Sequence, residues 1–191
     1  MIPFNKPYLT GKETHYIEDA VKAGKISGNG KYTQLCQKFF EVRYEFKKCL
    51  LTTSCTDALE MASILLDIKS GDEVIMPSYT FVSTSNAFVL RGAKIVFADS
   101  CDNHPNIDHS NLESLITPKT KAIVVVHYAG VACDMDVIME IAKENNLFVV
   151  EDNAQSQLGT WNGKYTGSFG DINATSFYPT KNLGAIGEAG A

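Results

Sequence analysis

Three kinds of side chain in this sequence can do covalent or ionic chemistry: an amine, a carboxylate and a group of hydroxyls. Lys181 carries an amine that can bond covalently to a carbonyl compound. Asp152 follows an apolar run, and Gln155 comes soon after it. The run Ser54-Cys55-Thr56 is typical of a helix N-cap, where backbone N–H groups can bind a phosphate. Ser176 supplies a further hydroxyl shortly before Lys181.

Each of these residues also has an ordinary structural interpretation. The run Ser54-Cys55-Thr56 can simply cap a helix, which is the usual use of such residues. Asp152 can be a structural carboxylate or a metal ligand, although loops at strand ends often carry function. Lys181 is one of many lysines, most of which are solvated. No single residue therefore identifies a site.

Three more residues near predicted strand ends are open to both interpretations. Phe81 lies in an apolar segment, and such aromatic residues more often fill a core than contact a cofactor. His127 can be a satisfied polar group at a strand end, which is the favoured interpretation. Cys55 is a small filler, although its position at a helix start can lower the pKa of a thiol.

The elements that must position these residues alternate between continuous apolar runs and amphipathic segments. The predicted strands are residues 49–53, 74–76, 95–97, 122–126, 147–150 and 174–178. The predicted helices are 58–66, 80–90, a short one within 106–116, and 134–146; residues 1–46 also have a helical pattern, and 159–170 indicate a turn or small hairpin. This alternation predicts an α/β fold with a mostly parallel sheet covered by helices on both faces.

The N-terminal 46 residues show two apolar faces at helical spacing. One consists of Tyr16, Ile17, Ala20 and Val21, and the other of Leu35, Phe39 and Phe40. This spacing predicts helices in the N-terminal segment.

Parallel strands end at one edge of their sheet, where ligands bind. That edge is expected to collect a helix start for an anion, an aromatic ring, a carboxylate, a hydroxyl and a lysine. Pyridoxal phosphate (PLP) needs that set, as a phosphate site, a ring contact, a partner for the pyridine nitrogen and an amine. The sequence therefore favours a PLP site at the sheet edge.

Composition restricts the class of protein. The 191 residues are 45% hydrophobic and 20% charged, which is typical of one globular domain. The net charge is −5 with no cluster of lysine or arginine, so a nucleic-acid surface is not indicated. Five scattered cysteines without a CxxC pair favour a reducing compartment over a disulfide framework or zinc site. No signal peptide or membrane-length apolar run is recognised, so we expect a cytoplasmic protein.

Six motifs carry a resemblance to a known family. They are TSCTDAL (53–59), GDEVI (71–75), PSYTF (77–81), HYAG (127–130), EDNAQ (151–155) and SFYPTKN (176–182). With them the sequence resembles, from residue 1 to 191, the nucleotide-sugar aminotransferases of the DegT/DnrJ/StrS type. The last two motifs, in that order, are the most specific.

The resemblance implies roles for residues at the ring of the cofactor. Lys181 matches the lysine that forms a Schiff base with PLP and then transfers a proton. Asp152 matches the carboxylate that faces the pyridine nitrogen, and Gln155 matches the residue near the 3′ oxygen. Phe81 matches the aromatic residue that stacks on the ring.

The phosphate site follows from the same resemblance. The run Ser54-Cys55-Thr56, through the N–H groups of Cys55 and Thr56, and the Ser176 hydroxyl match the family's phosphate ligands. Cys55 stands where glycine or alanine is more usual, and it is small enough to keep the approach of the backbone.

The resemblance also implies an activity and a domain plan. The family transfers an amino group, here expected from glutamate, to a 4-keto-6-deoxy sugar on a nucleotide, and its members form homodimers. Residues 1–191 are expected to be the N-terminal helical segment and most of the large domain of a fold-type I PLP aminotransferase. The family's small C-terminal domain would lie beyond Ala191, so we expect the 191 residues alone to fold poorly or to be inactive.

Three other functions stay open at this point. A PLP sugar dehydratase is disfavoured because those relatives have histidine in place of the lysine at Lys181. A PLP-binding sensor or scaffold, or an inactive truncated paralogue, would keep the fold without turnover. A general nucleotide-binding domain ranks last because the sequence lacks a G-x-G-x-x-G motif or a P-loop after its first strand.

Overall fold

The computed structural model describes residues 1, 6 and 8–191, so residues 2–5 of the opening MIPFN lie outside the described residues. The strands are β1 (Glu73–Pro77), β2 (Lys94–Ala98), β3 (Thr120–Val126), β4 (Phe148–Asp152), β5 (Thr160–Trp161), β6 (Lys164–Tyr165) and β7 (Ile172–Ala174). The α-helices are α1 (Glu13–Lys22), α2 (Lys31–Tyr44), α3 (Cys55–Leu65), α4 (Val82–Val89), α5 (Leu112–Leu115) and α6 (Met135–Glu144).

Five of the strands form one sheet in the order β2-β1-β3-β4-β7, and every neighbouring pair is parallel. Alternate side chains of the central strands enter two different cores. Val74 and Val124 pack with α3 and α4 on one face. Ile75 and Val125 pack with α5 and α6 on the other. The predicted α/β fold with helices on both faces is therefore confirmed. Its central strands are continuously apolar because they are buried on both sides.

The predicted strands at 49–53 and 174–178 are wrong in detail. Thr52 forms only an isolated bridge with Gly190, and β7 begins two residues earlier than predicted and ends at Ala174. Gly190 exchanges both backbone hydrogen bonds with Thr52, at 2.8 and 3.0 Å. On its other side, Thr175 N donates to Ala191 O and Phe177 N donates to Ala189 O, both at 2.8 Å. These two segments are extended because they pair with residues 189–191 and not with the parallel sheet.

The N-terminal segment is helical, as predicted, but its predicted apolar faces are largely not packed. In α1, Tyr16, Ile17 and Val21 are exposed. In α2, Leu35 and Phe39 are exposed, while Phe40 is buried with Tyr44 and Cys49. Helical spacing identified an apolar face correctly, but it does not reveal whether another part of the same chain covers that face.

The remaining elements agree with the sequence patterns. Residues 160–165 form the antiparallel β5–β6 hairpin within the predicted turn region. Helix α4 is shorter than predicted, because Phe81 is its N-cap residue. None of the helices in the described ranges has the length and hydropathy needed to cross a membrane.

A buried carboxylate fixes the loop that follows the hairpin. Glu151 is fully buried in β4 and accepts hydrogen bonds from the backbone N–H groups of Gly167, Phe169 and Gly170, at 2.6 to 2.7 Å. The His127 Nε2 lies 2.9 Å from the same carboxylate. The Cys133 N–H donates to His127 Nδ1, so Nε2 carries the proton and donates to Glu151. His127 is thus a satisfied structural group, which favours the structural interpretation of that residue.

We expect replacement of Gly190 by alanine to destabilise the protein. A Cβ at this position would lie 2.5 Å from the Cys55 backbone nitrogen, so the backbone of the predicted phosphate site would have to move. The free energy of unfolding, measured by urea denaturation, should fall by about 2 kcal/mol. Gly28→Ala is the control, because an added Cβ there meets nothing within 4 Å. Equal stabilities of the two variants would contradict this role of Gly190.

Glu151→Gln should also lower the free energy of unfolding, by about 3 kcal/mol, because an amide cannot accept from four donors as a carboxylate does. The exposed Glu140→Gln on α6 provides the matched control, with a change within about 0.5 kcal/mol. Urea denaturation measures both variants. A loss at Glu151 no larger than that at Glu140 would show that the buried network does not stabilise the fold.

Candidate functional site

The carboxyl ends of the parallel strands open onto a cavity of about 490 Å³. All eight residues predicted to form the site line this cavity: Ser54, Cys55, Thr56, Phe81, Asp152, Gln155, Ser176 and Lys181. They come from four segments separated in sequence, as expected when parallel strands end at one edge. The structure therefore brings the predicted set together, while the role of each residue stays a prediction.

One end of the cavity is formed by the start of α3. Ser54 is the N-cap residue, and its Oγ accepts from the Asp57 N–H at 3.1 Å. For the N–H groups of Cys55 and Thr56, no acceptor occurs in the described part of the chain. The buried Ser176 Oγ accepts from the Tyr178 N–H, which leaves its own proton for a ligand. Two backbone donors and a hydroxyl donor at a helix start are suited to a phosphate.

Cys55 does not have the properties of a nucleophile. Burial raises the pKa of its thiol well above the ordinary value, and the nearby Asp152 carboxylate raises it further. The interpretation of Cys55 as a small filler is therefore favoured over that of a thiol whose pKa is lowered by the helix start, because desolvation has the larger effect. Cys55 therefore serves as a small residue beside the free N–H groups.

The cavity is also lined by a buried carboxyl group, that of Asp152. Its Oδ2 accepts from the Thr84 hydroxyl at 2.7 Å, and its Oδ1 accepts from the Ala154 N–H at 3.2 Å. Burial raises the pKa of Asp152, while the Thr84 and Ala154 hydrogen bonds and the positive charge of Lys181 lower it. Both hydrogen-bonding neighbours are donors and neither is a metal ligand. The carboxyl group is thus suited to a cationic partner that enters the cavity.

Gln155 has a fixed amide orientation. Its Oε1 accepts from the Ala129 N–H at 2.8 Å, where Ala129 has a left-handed φ of 52°. The other half of the amide, the Nε2 donor, is then left for the cavity that Gln155 lines. A donor at this point can bind an oxygen that carries negative charge.

Lys181 lies in a turn that neighbouring polar side chains hold in place. Its N–H donates to Tyr178 O at 2.9 Å. The Asn182 side chain donates to Gln157 O, and the buried Gln157 side chain donates to Ser176 O, both at 2.8 Å. These two hydrogen bonds join both ends of the lysine turn to the segment that follows Asp152.

Phe81 is not a core residue. Its side chain is 70% exposed at the N-cap of α4 while it lines the cavity. The more common interpretation of such a residue as core filler is therefore wrong. Its ring is available as an apolar wall for a flat ligand.

Two residues of α4 that line the same cavity, Ser83 and Thr84, were not predicted from the sequence. Ser83 Oγ accepts from the Thr56 hydroxyl at 2.8 Å, and Thr84 donates to Asp152. A signal for Thr84 existed, because this polar residue lies at helical spacing with the buried Ala87 and Phe88. The adjacent hydroxyls of Ser83 and Thr84 thus connect α4 to Thr56 and to Asp152.

Comparisons with curated proteins give two close relatives. GDP-perosamine synthase of Escherichia coli O157:H7 is 40% identical over 189 residues, which cover 99% of this chain and 52% of that protein. UDP-N-acetyl-3-dehydro-alpha-D-glucosamine 3-aminotransferase of Acidithiobacillus ferrooxidans is 47% identical over 137 residues, 72% of this chain and 37% of that protein. The chain spans about half the length, or less, of these relatives.

Solved structures give the same fold. An aminotransferase from Psychrobacter cryohalolentis superposes with a TM-score of 0.93 at 35% identity, over 98% of this chain and 48% of that one. The Spr1654 protein of Streptococcus pneumoniae in its PLP form superposes with a TM-score of 0.88 at 29% identity, over 99% of this chain and 52% of that one.

Residues 7–191 match the family model as well, and the chain therefore belongs to the DegT/DnrJ/EryC1/StrS aminotransferase family.

Proposed function

We propose that the cavity at the sheet edge holds PLP and that the full-length protein is a nucleotide-sugar aminotransferase. Family membership supports this, since the family is PLP-dependent. The observation that carries the proposal is the cavity itself. It combines free N–H donors at a helix start, a buried carboxyl group and a lysine within one space.

Two groups of residues that line the cavity fit the two ends of the cofactor. The N–H groups of Cys55 and Thr56 and the Ser176 hydroxyl would bind the phosphate. The Asp152 carboxylate would pair with the pyridine nitrogen and keep it protonated, because an adjacent anion favours the charged form of a base. Because one group of residues would bind the phosphate and Asp152 would bind the pyridine nitrogen, the ligand would fit in a single orientation.

Three side chains would act between these ends. Phe81 provides an apolar wall for the ring, and the Gln155 Nε2 donates to the 3′ oxygen. The Lys181 amine would hold the cofactor and, as a free amine, would accept or return the proton at the Cα of the amino donor. When bound, PLP supplies an electron-withdrawing ring that accepts the charge left when that proton departs.

For the substrate, we infer a nucleotide-linked 4-keto-6-deoxy sugar, with glutamate as the amino donor in a ping-pong reaction. Among possible sugars we propose dTDP-4-dehydro-6-deoxy-D-glucose, because the opening MIPFN and residues 71–97 resemble those of dTDP-4-amino-4,6-dideoxygalactose transaminase. The product would enter the synthesis of surface polysaccharides. A UDP-linked 3-keto sugar is the competing substrate, as the name of the Acidithiobacillus relative indicates for that protein.

The proposed activity belongs to the full-length protein, acting as a cytoplasmic homodimer. Residues 1–191 would supply the N-terminal helical segment and most of the PLP-binding large domain. The alternative proposal is a PLP-binding sensor or scaffold, or an inactive truncated paralogue, which would bind the cofactor without turnover.

Reduction with borohydride in the presence of PLP should attach a pyridoxyl group to Lys181, because this amine lines the cavity together with Asp152. Peptide mapping by mass spectrometry locates the adduct. Lys181→Arg should abolish the adduct, and Lys164→Arg, in the hairpin, should retain it. An adduct at another lysine would overturn the assignment of the cofactor site.

With glutamate, the full-length protein should aminate dTDP-4-dehydro-6-deoxy-D-glucose with a kcat/KM at least about tenfold higher than for GDP-linked 4-keto or UDP-linked 3-keto sugars. Mass spectrometry of the nucleotide sugar measures the product, and Lys181→Arg should give none. A preference for one of the other sugars would contradict the dTDP proposal while leaving the aminotransferase proposal intact. PLP binding without any turnover would favour the sensor.

A further inference from the structure

Two hydroxyl groups, those of Thr80 and Thr84, are hydrogen-bonded in series to the Asp152 carboxyl group. The Oγ1 atoms of Thr80 and Thr84 lie 2.8 Å apart, and Thr84 Oγ1 lies 2.7 Å from Asp152 Oδ2. Thr84 is completely buried, and both threonines line the cavity. The contact between Thr84 and Asp152 joins α4 to the end of β4, two elements far apart in sequence.

The direction of these hydrogen bonds follows from the chemistry of the groups. An ionised carboxylate only accepts, and a threonine hydroxyl has one proton to donate. Thr84 must therefore donate to an ionised Asp152, and its oxygen then accepts from Thr80. A donor that is itself an acceptor is polarised, so the bond to the anion is strengthened.

This use of a threonine differs from the usual one within a helix. Serine and threonine side chains in helices mostly bond to a backbone carbonyl one turn earlier. Ser85, the next residue of α4, does so, because its Oγ donates to Val82 O at 3.0 Å. The Thr84 hydroxyl instead reaches across to another element and meets an acidic group.

Other groups also influence Asp152. Lys181 acts on it as a positive charge that lowers its pKa, and Cys55 faces it as a neutral thiol. His127 is neutral, because its Nδ1 accepts from the Cys133 N–H. Glu151, the preceding residue in β4, bonds instead to His127 and the 167–170 loop. Because Lys181 reacts with the ligand, its charge is not constant. The Thr84 hydroxyl is a neutral donor that stays in place when that charge changes.

We propose that Thr84 is a positioning residue, which keeps the Asp152 carboxylate ionised and fixes its rotation for the pyridine nitrogen of the cofactor. This inference rests on the proposed PLP site. Thr80, which donates to the Thr84 oxygen, strengthens the hydrogen bond from Thr84 to Asp152.

The test compares Thr84→Val with Thr84→Ser in the full-length protein. PLP affinity is measured by fluorescence titration between pH 4 and pH 8, and the midpoint of the acid limb is compared between variants. Valine keeps the branched shape but removes the donor, so Asp152 should ionise at a higher pH. The midpoint should move upward by about one pH unit, with about tenfold weaker binding below it. Serine keeps the hydroxyl and should retain the midpoint of the unmodified protein.

Ser85→Ala is the matched control, since it removes a hydroxyl from the same helix away from Asp152. Its midpoint should equal that of the unmodified protein. A Thr84→Val midpoint that also equals it would overturn the inference. If Thr84→Val does not fold, Thr80→Val replaces it, with a smaller upward shift expected and no shift as the contradicting result.

Failure of the underlying cofactor proposal would be recognised separately. In that case the unmodified protein would give no borohydride adduct at Lys181 and no saturable PLP binding at any pH. An adduct at Lys181 in all variants, with unchanged midpoints, would instead reject only the role of Thr84.

Discussion

The structure depends on the burial of two adjacent carboxyl groups at the end of β4. Successive residues of a strand point to opposite faces of the sheet, so Glu151 and Asp152 enter different environments. Glu151 is surrounded by three backbone N–H groups and the His127 Nε2, which together satisfy a buried charge. Among the described residues, Asp152 accepts hydrogen bonds from the Thr84 hydroxyl and the Ala154 N–H alone. The hydrogen bonds of Glu151 are thus satisfied within the protein, whereas the Asp152 carboxyl group can still bind a cation.

This difference determines which carboxyl group stabilises the fold and which one is available to a ligand. A fully hydrogen-bonded carboxylate gains little from a new partner, whereas Asp152 is buried with a raised pKa and gains most from an adjacent positive charge. A pyridinium ion would replace the solvent that burial has removed. Glu151 supports this arrangement because it binds the backbone of the 167–170 loop, on the other side of β4 from Asp152.

The part of the cavity at the start of α3 depends on backbone geometry. Gly190 passes between Thr52 and Ser176 with a bridge to each, and this pairing brings the start of α3 beside the lysine turn. A side chain at Gly190 would meet the Ser54 and Cys55 backbone. The close approach therefore requires glycine, although its φ is not in the left-handed region. Main-chain hydrogen bonds thus place the start of α3 beside the lysine turn, while the Asn182 and Gln157 side chains hold that turn itself.

Much of the fold was predictable, because β3 and β4 are continuous β-branched runs and such runs are typical of parallel strands buried on both faces. The site was predictable for the same reason, since residues after parallel strands share one edge. The pairing of 49–53 and 175–177 with residues 189–191 was not, because the sequence around Gly190 has the composition of a turn. Helical spacing with Ala87 and Phe88 places Thr84 on the buried face of its helix, but the sequence does not reveal that its partner is Asp152 at the end of β4.

The residues of the cavity also explain why one sequence region is shared by enzymes named for different sugars. A GDP-linked and a UDP-linked relative match this chain at 40% and 47% identity. The groups gathered here are a phosphate-type anion site, a carboxyl group, an amide donor and a lysine. In the proposed assignment each of them would meet a part of PLP, and the sugar and nucleotide would be recognised by other residues. The Thr84–Asp152 contact would then belong to the cofactor part of the site.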